Sequence, residues 1–277
     1  MSQQIVDIAM EKETRLKEIL RSYGTLAVAY SGGVDSSYLA DVASEALGDR
    51  AHILLADSAS IPRSEVEEAS ELARMRGWNF QIIHTNEMEN ESYLKNDGTR
   101  CYFCRSELFE VMRAYASEHA ITHLSYGAIM DDLDDTTRVG TKAAAEYEVV
   151  APLQDALLSK DEIRDLSRRR NLPTSEKASF ACLSSRIPVG TAVNQTDLAR
   201  VEATEEVLRK LGFHQYRCRH HGDLCRIEVG EEELGRFNDP ATRDKIIRGA
   251  RAAGYRHVTL DLCGYTTGFV AHGKQPG

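Results

Sequence analysis

The fold of this chain is decided by Ser31-Gly32-Gly33-Val34-Asp35-Ser36, which joins an apolar run at residues 26–30 to a helical pattern starting near Ser36. Gly32 and Gly33 carry no Cβ, so the backbone can approach a ligand closely where the strand turns into the helix. The first amides of a helix have no intrahelical partner and lie at the positive end of its dipole. Ser31 and Ser36 add hydroxyl donors. The stretch therefore predicts a loop that binds phosphate groups.

The loop lacks the Gly-Lys-Ser/Thr ending of a Walker A loop, so it does not predict the usual grip on a transferred γ-phosphate. It resembles the S-G-G-x-D-S loop of the N-type ATP pyrophosphatases, enzymes that split ATP between its α and β phosphates and leave an adenylate on the substrate. The resemblance implies that ATP is bound with Mg²⁺ and that Asp35 takes part in catalysis. It implies pyrophosphate binding by Ser31, Gly32, Gly33, Asp35 and Ser36. The alternative is a serine- and glycine-rich turn in some other α/β protein.

Length and composition favour a soluble enzyme of two domains. The 277 residues are 42% hydrophobic, and 34 basic against 43 acidic side chains give a formal net charge of −9. This balance favours small anionic ligands over nucleic acid as partners. The sequence has no apolar run as long as a membrane span, and its N-terminus is polar. We therefore expect no membrane partner and a cytoplasmic location. In that compartment the six cysteines are not expected to form disulfides.

Strand and helix patterns alternate through the first two thirds of the chain, as in a parallel sheet covered by helices. We predict an α/β fold, with a doubly wound parallel sheet of the ATP pyrophosphatase type in residues 1–175 and a smaller α+β domain in residues 194–277. An interdomain segment at 176–193 carries Cys182 and has little periodicity. The predicted strands are residues 26–30, 52–56, 80–83, 123–126, 216–219, 225–229 and 257–262.

Helix starts are marked by capping residues. A serine followed three residues later by a glutamate has the spacing of a capping box, and this pattern predicts helix starts near Ser64 and at Ser159. Asp239-Pro240 predicts a further start, since aspartate is a good N-cap and proline suits the first helical position.

Cys101 and Cys104 are the second informative feature. They are spaced i and i+3 near a predicted helix start, so the two thiols share a face and the helix dipole favours their thiolates. Cys182 is a third candidate, because loops at the carboxyl ends of parallel strands converge on one crevice. Three thiolates can hold an iron-sulfur cluster, zinc with a fourth ligand is an alternative, and ordinary burial is another. Packing is expected for the remaining cysteines, Cys218, Cys225 and Cys263.

With these features in hand, the chain resembles the LarE family of ATP-dependent sulfur transferases, which build the nickel-pincer nucleotide of lactate racemase. The resemblance covers nearly the whole chain. The motifs that match the family are the S-G-G-V-D-S loop, Cys182 to Arg186 with Pro188-Val189-Gly190-Thr191, Arg217-Cys218-Arg219, Arg226-Ile227-Glu228 and residues 257–262. The implied reaction is adenylation of a carboxylate of pyridinium-3,5-biscarboxylic acid mononucleotide, followed by sulfur insertion to give the thiocarboxylate.

The resemblance also implies where the sulfur comes from. Family members that sacrifice their own sulfur are expected to carry a cysteine five residues before the arginine that matches Arg186, where this chain has Ala181. The set of Cys101, Cys104 and Cys182 resembles the branch in which three cysteines hold a 4Fe-4S cluster whose free iron carries exogenous sulfide. These cysteines are thus the expected catalytic and metal residues, and a sulfide source is an expected partner.

Ligand contacts are expected at residues outside the loop. Lys177 is a candidate phosphate contact, and Ser58, at the end of the second strand, is a candidate nucleoside contact. The substrate's phosphate or second carboxylate is expected to meet charged side chains through forked hydrogen bonds. The candidates are Arg186, Arg217, Arg219 and Glu228. Salt bridges unrelated to substrate are the alternative for the arginines, and an ordinary strand glutamate is the alternative for Glu228.

Three other functions share parts of this pattern. A tRNA thiolase of the same superfamily combines such a loop with three cysteines, although the acidic balance disfavours RNA as a partner. An amidotransferase-type synthetase would leave the three cysteines without a role, and a nucleotide sensor would bind ATP without cleaving it. A homo-oligomer is expected.

Overall fold

The computed structural model describes residues 3–132, 140–178 and 181–265. The chain divides into two compact units, the first formed by residues 1–58, 63–87 and 101–180 and the second by residues 59–62, 88–100 and 181–277. The second unit thus includes two short segments that the sequence assigns to the first domain. Backbone hydrogen bonds explain this, because Leu183 N donates to Ser60 O at 2.8 Å and Val193 N donates to Leu94 O at 2.9 Å.

The first unit is built on a four-stranded parallel sheet in the order β3-β2-β1-β4. Its strands are β1 (Leu26–Tyr30), β2 (Ala51–Asp57), β3 (Phe80–His84) and β4 (His123–Tyr126). All four were predicted within two residues of these ends. From β1 the chain progresses outward to β3 and then returns to place β4 on the other side of β1. The order therefore reverses between β1 and β4, which is where α/β sheets of this kind bind ligands.

Helices cover this sheet, which confirms the predicted α/β class. They are α1 (Gln3–Tyr23), α2 (Val34–Leu47), α3 (Arg63–Arg76), α5 (Arg100–Glu118), α6 (Gly140–Glu146), α7 (Pro152–Asp155) and α8 (Lys160–Arg169). On one face of the sheet, Phe109 and Met112 of α5 pack in a buried cluster with Ala27 and Leu54. The alternate strand residues Val28 and Ile53 are buried as well, so the strands are covered on both faces, as in doubly wound folds.

Two capping predictions have different outcomes. Ser159 accepts a hydrogen bond from Glu162 N, and the Glu162 side chain reaches back to the Ser159 amide, so the predicted capping box at α8 is confirmed. The helix predicted to start near Ser64 is confirmed, since α3 begins at Arg63, but Ser64 lies inside the helix and so its capping-box role is wrong. Pro62 directly precedes the first helical residue, where its fixed φ and missing N–H suit a helix start.

The second unit is a small α+β fold. Its helices are α4 (Glu91–Leu94), α9 (Gln195–Lys210) and α10 (Pro240–Ala252), and its strands are β5 (Tyr216–His221), β6 (Leu224–Val229) and β7 (His257–Leu260). The sheet order is β5-β6-β7, with an antiparallel β5–β6 hairpin and β7 parallel to β6. Asp239 caps α10 ahead of Pro240, as predicted. Among the described residues, none of the helices has the length and apolarity needed to cross a bilayer.

Candidate active site

The phosphate loop folds on itself at the N-terminus of α2. The Ser31 and Ser36 hydroxyl oxygens are 2.9 Å apart, and Ser31 N donates to Ser36 Oγ at 3.1 Å. Gly33 is the N-cap residue, and it supplies no side-chain acceptor to the amides of the first turn. Those amides therefore keep donor capacity at the positive end of the helix dipole. The local geometry suits an anion, as the sequence predicts.

Two glycines allow close backbone packing around this loop. Gly32 has φ +72°, and a Cβ there would lie 2.9 Å from Ala69 Cβ of α3, so both conformation and space favour glycine. A Cβ on Gly127, just after β4, would lie 3.0 Å from Ser36 N. Sequence reasoning missed Gly127, although a glycine directly after a predicted strand was a usable signal.

Asp35 is held by a lysine that sequence reasoning also missed. Lys160 Nζ lies 2.8 Å from Asp35 Oδ1 and 2.7 Å from Oδ2. Lys160 is the first residue of α8, and its backbone N donates to Asp131 Oδ2 at 3.0 Å. The loop after β1 and the loop after β4 thus meet the start of α8 at the point where the strand order reverses.

Lys177 and Ser58 are the other predicted nucleotide contacts. Lys177 Nζ is 2.7 Å from Glu65 Oε2 and 3.2 Å from Glu68 Oε2, so its ammonium is neutralised by α3. A pocket of about 590 Å³ within the first unit is bordered by both Gly32 and Lys177. Ser58 is buried, and its carbonyl accepts a hydrogen bond from Arg63 Nη2 at 2.6 Å. Contacts of Lys177 and Ser58 with a nucleotide stay predictions.

The predicted cysteine set is divided between the two units. Cys101 and Cys104 lie in the first two turns of α5, where Cys101 is exposed and Cys104 is partly buried. Cys182 is partly buried and precedes a 3₁₀ helix at Leu183–Arg186. In the described part of the chain, no group of three or more His, Cys, Asp and Glu side chains is arranged to hold a metal ion. The cluster therefore stays a prediction.

A set of hydrogen bonds that the sequence did not reveal fixes the segment after Cys182 inside the second unit. Arg100 Nη1 donates to Ser184 O and to Asn96 Oδ1, both at 2.7 Å. Asn96, which is buried with φ 52°, donates through Nδ2 to Pro188 O at 2.9 Å and to Thr191 O at 3.0 Å. The residue before Cys101 in the chain is thereby bonded to the stretch that follows Cys182.

Arg186, a predicted substrate ligand, is buried and paired with a carboxylate of the second unit. Its side chain is 0% exposed and forms a two-point ion pair with Glu205, at 2.8 Å through Nε and 2.9 Å through Nη2. Nη1 donates to Cys182 O at 2.9 Å and also to Ala181 O. Glu205 additionally accepts from Cys218 N at 2.9 Å. Arg186 therefore holds the Cys182 segment against β5.

Arg217 and Arg219 alternate with Cys218 on β5, so their side chains point to one face of the strand. Arg219 Nε and Nη2 both lie 2.9 Å from Glu228 Oε2 on β6. The Arg217 guanidinium lies over the Tyr265 ring at 5.0 Å, and Nη1 donates to Tyr216 O at 2.7 Å. Burial, together with the positive charge of Arg186, lowers the pKa of Arg217.

Glu228 lies between two arginines. Besides Arg219, it accepts from Arg226 Nη2 at 3.1 Å through Oε1. Burial raises the pKa of this carboxyl even though both neighbours are cationic. The predicted substrate residues thus form a buried charged network, and substrate contact by any of them stays a prediction.

The remaining cysteines test the packing prediction. Cys218 and Cys225 are fully buried with sulfur atoms 2.9 Å apart, and burial raises the pKa of the Cys218 thiol, which makes it a poor nucleophile. Packing is confirmed for these two. It is wrong for Cys263, which is exposed, because β7 ends at Leu260 and the chain has left the sheet there.

Comparison with known proteins identifies the family. No family model matches the chain. It is 37% identical to an uncharacterized Synechocystis protein over 92% of this chain and 96% of that protein. It is 24% identical to the Aliarcobacter butzleri GMP synthase, over 84% of this chain and 49% of that enzyme. Pyridinium-3,5-bisthiocarboxylic acid mononucleotide synthase of Lactiplantibacillus plantarum is 31% identical over 93% of this chain and 92% of that enzyme. The chain therefore belongs to the LarE family of pyridinium-3,5-bisthiocarboxylic acid mononucleotide synthases.

Proposed function

We propose that this protein is an ATP-dependent sulfur transferase that converts a carboxylate of pyridinium-3,5-biscarboxylic acid mononucleotide into a thiocarboxylate. The end product named for the Lactiplantibacillus relative supports this substrate. The observation that carries the proposal is the Ser31–Ser36 loop, whose serine hydroxyls and uncapped amides lie at the start of α2. We place the reaction in the cytoplasm, in a homo-oligomer that supplies the nickel-pincer nucleotide of lactate racemase.

Activation is needed because a bare carboxylate has no adequate leaving group. A substrate carboxylate oxygen attacks the α-phosphorus of ATP, and the bond to the β-phosphate oxygen breaks to release pyrophosphate. Sulfur then attacks the carbonyl carbon of the acyl-adenylate, and AMP leaves with the electron pair of the broken C–O bond. Ser31, Ser36 and the α2 amides would hold the departing pyrophosphate, and the Asp35 carboxylate is an oxygen ligand of the kind Mg²⁺ takes.

The arginine face of β5 is our proposed substrate site. Arg217 and Arg219 would meet the phosphate or second carboxylate through two-point hydrogen bonds. Glu228 holds Arg219 in place through two contacts of 2.9 Å. Arg186 acts one step away, since it holds the Cys182 segment rather than a ligand. Arg186 differs in that its side chain is 0% exposed and donates to Cys182 O, whereas the Arg219 side chain keeps 8% of its surface exposed.

We assign the supply of sulfur to Cys101, Cys104 and Cys182, as ligands of a 4Fe-4S cluster. The donor set fits in its chemistry, because three thiols are what such a cluster needs when one iron keeps an open position. Cys101 and Cys104 lie at a helix N-terminus, which favours thiolates. When bound, the cluster would supply an iron that carries sulfide. The exposure of Cys101 supports access from solvent.

The test is reconstitution under anaerobic conditions with iron, sulfide, Mg²⁺, ATP and the pyridinium biscarboxylate. We expect thiocarboxylate, AMP and pyrophosphate in equal amounts, and none of them from Asp35→Ala. Pyrophosphate release without any sulfur product in the presence of sulfide would overturn the sulfur-transfer assignment. Thiolation of tRNA in place of the pyridinium compound would overturn the substrate.

A further inference from the structure

Lys160 lies beside the phosphate loop through its ion pair with Asp35, although it is far from the loop in sequence. Lys160 Nζ contacts both carboxylate oxygens of Asp35, at 2.8 and 2.7 Å, across 125 residues of chain. Asp35 lies in the first turn of α2, beside the serine hydroxyls and the uncapped amides. The two side chains are 31% and 24% exposed, so a ligand in solvent can reach them. An ammonium added to this set of donors suits a polyphosphate.

The backbone of Lys160 is fixed, whereas its side chain is long and flexible. Ser159 and Glu162 form a capping box around it, and its backbone N donates to Asp131 Oδ2 at 3.0 Å. Met130 N also donates to Leu158 O at 3.2 Å, which ties the loop after β4 to the start of α8. The ammonium can therefore change partners by rotation about its own side-chain bonds, with the helix in place.

We propose that Lys160 is a phosphate ligand of the nucleotide site and that it exchanges partners when nucleotide binds. Without nucleotide, Lys160 neutralises Asp35. When ATP binds with Mg²⁺, Asp35 turns to the metal and Lys160 turns to the phosphate oxygens that leave as pyrophosphate. The inference rests on the proposed ATP-dependent reaction and concerns its phosphate half alone.

Charge and exposure both favour this exchange over a purely structural role. An aspartate at a polyphosphate site repels the ligand unless cations neutralise both. The exchange keeps them neutralised, because the metal ion pairs with Asp35 while Lys160 pairs with the phosphates. A partly exposed ion pair contributes little to stability, so breaking it is readily offset. Arg170 is an example of a structural ion-pair cation. Its side chain is only 15% exposed, and its guanidinium is surrounded by Glu13, Asp41 and Glu45.

The chain offers a matched control in Lys12 of α1, which pairs with a carboxylate in the first turn of α8. Lys12 Nζ lies 2.7 Å from Glu162 Oε1, and the Lys12 side chain is 27% exposed. Lys160→Met and Lys12→Met thus each remove one partly exposed ion pair from the first turn of α8. We expect Lys160→Met to weaken binding of Mg²⁺-pyrophosphate by calorimetry by about tenfold to a hundredfold, as for the loss of a hydrogen bond to a charged group. Lys12→Met should bind like wild type, and Lys160→Arg should recover part of the loss.

Equal pyrophosphate binding by Lys160→Met and Lys12→Met would overturn the proposal. If Lys160→Met does not fold, the wild-type protein decides the question through amine modification followed by peptide mass spectrometry. Pyrophosphate with Mg²⁺ should slow modification of Lys160 but not of Lys12, and unchanged modification of Lys160 would overturn the proposal. Neither measurement uses the pyridinium substrate, so a wrong substrate assignment leaves both results interpretable.

Discussion

Glu205 accepts from three N–H donors of two residues inside the second unit: Arg186 Nε at 2.8 Å, Arg186 Nη2 at 2.9 Å and Cys218 N at 2.9 Å. A carboxylate shared between a buried guanidinium and a strand amide joins α9, β5 and the Cys182 segment into one network. The network is fully desolvated at its arginine, whose side chain is 0% exposed. Removal of the Glu205 carboxylate would leave the buried Arg186 guanidinium without the anion that balances its charge.

We expect Glu205→Gln to destabilise the second unit by about 3–5 kcal/mol, the usual cost of breaking a buried ion pair from one side. The neighbouring residue supplies the control, because Glu206 pairs with Arg209 on the exposed side of α9. Glu206→Gln should cost less than about 1 kcal/mol. Hydrogen exchange of residues 216–229 measures both effects. Similar exchange in the two variants would contradict the anchoring role of Glu205.

The cysteine assignment predicts which thiols retain iron. Anaerobically purified wild type should contain iron and sulfide, and Cys101→Ala, Cys104→Ala and Cys182→Ala should each lose most of it, because each removes one of the three thiolates proposed to hold the cluster. Cys263→Ala is the control, since Cys263 is exposed and lies outside the proposed set. Zinc or no metal in the wild type would contradict the cluster assignment. So would conversion of Cys182 to dehydroalanine after one turnover, seen by mass spectrometry.

Arg100 should affect sulfur transfer without affecting nucleotide binding. Its guanidinium fixes Ser184 O at 2.7 Å, and Arg100→Met would leave that carbonyl and Asn96 Oδ1 without this donor. We expect thiocarboxylate formation to fall by about tenfold or more, as for the loss of a charge-assisted hydrogen bond. Binding of Mg²⁺-pyrophosphate should not change. Arg105→Met is the control on the same helix, and equal losses in both variants would show that any change in α5 has this effect.

The strands and the phosphate loop were predictable because their signals are local. Apolar runs of strand length and the glycines between β1 and α2 need no knowledge of distant residues. The partners around the loop were not predictable, because packing brings together residues far apart in the chain. Lys160 meets Asp35 across 125 residues, and neither residue's neighbours in sequence indicate the other. The capping box at Ser159 did predict that Lys160 begins a helix, but not which loop that helix faces.

The arginines show a second limit. A sequence cannot tell an arginine that binds a ligand from one that is neutralised by the protein, because both need the same side chain. Arg186 lies in the S-S-R-x-P-x-G-T stretch, but its burial and its ion pair with Glu205 are visible only in the structure. The partner that decides this, Glu205, is an unremarkable glutamate of a charged helix. Exposure and partners, which the structure supplies, are therefore the observations that bear on the two roles.

Gly127 should be sensitive to a single methyl group. A Cβ there would lie 3.0 Å from Ser36 N and 3.2 Å from Ser36 Cα, so Gly127→Ala must push the loop after β4 away from the start of α2. We expect pyrophosphate affinity to fall by about tenfold, in line with typical overpacking costs of about 1–3 kcal/mol. Gly235→Ala is the matched control, because a Cβ at Gly235 meets no atom within 4 Å. Unchanged pyrophosphate binding by Gly127→Ala would argue against the loop as the phosphate site.

Acid should unfold the first unit partly through Glu13. Burial alone would raise the pKa of Glu13, but hydrogen bonds and charge from Arg170 outweigh it and lower that pKa from 4.5 to about 2. A carboxyl with a lowered folded-state pKa stabilises the fold above its unfolded pKa and loses that contribution as pH falls from about 4.5 toward 2. The loss should be on the order of 3 kcal/mol. Trp78, the single tryptophan, is buried in the first unit and reports its unfolding by fluorescence.

Glu13→Gln should therefore be less stable than wild type at neutral pH, and its free energy of unfolding should depend less steeply on pH between about 5 and 2. Glu18→Gln on the same helix is the control, since Glu18 is exposed, and its pH dependence should follow that of wild type. Because Arg170 also binds Asp41 and Glu45, Glu13→Gln removes only one of its three carboxylate partners and the fold persists. Parallel pH profiles for wild type and Glu13→Gln would show that other carboxylates govern acid unfolding.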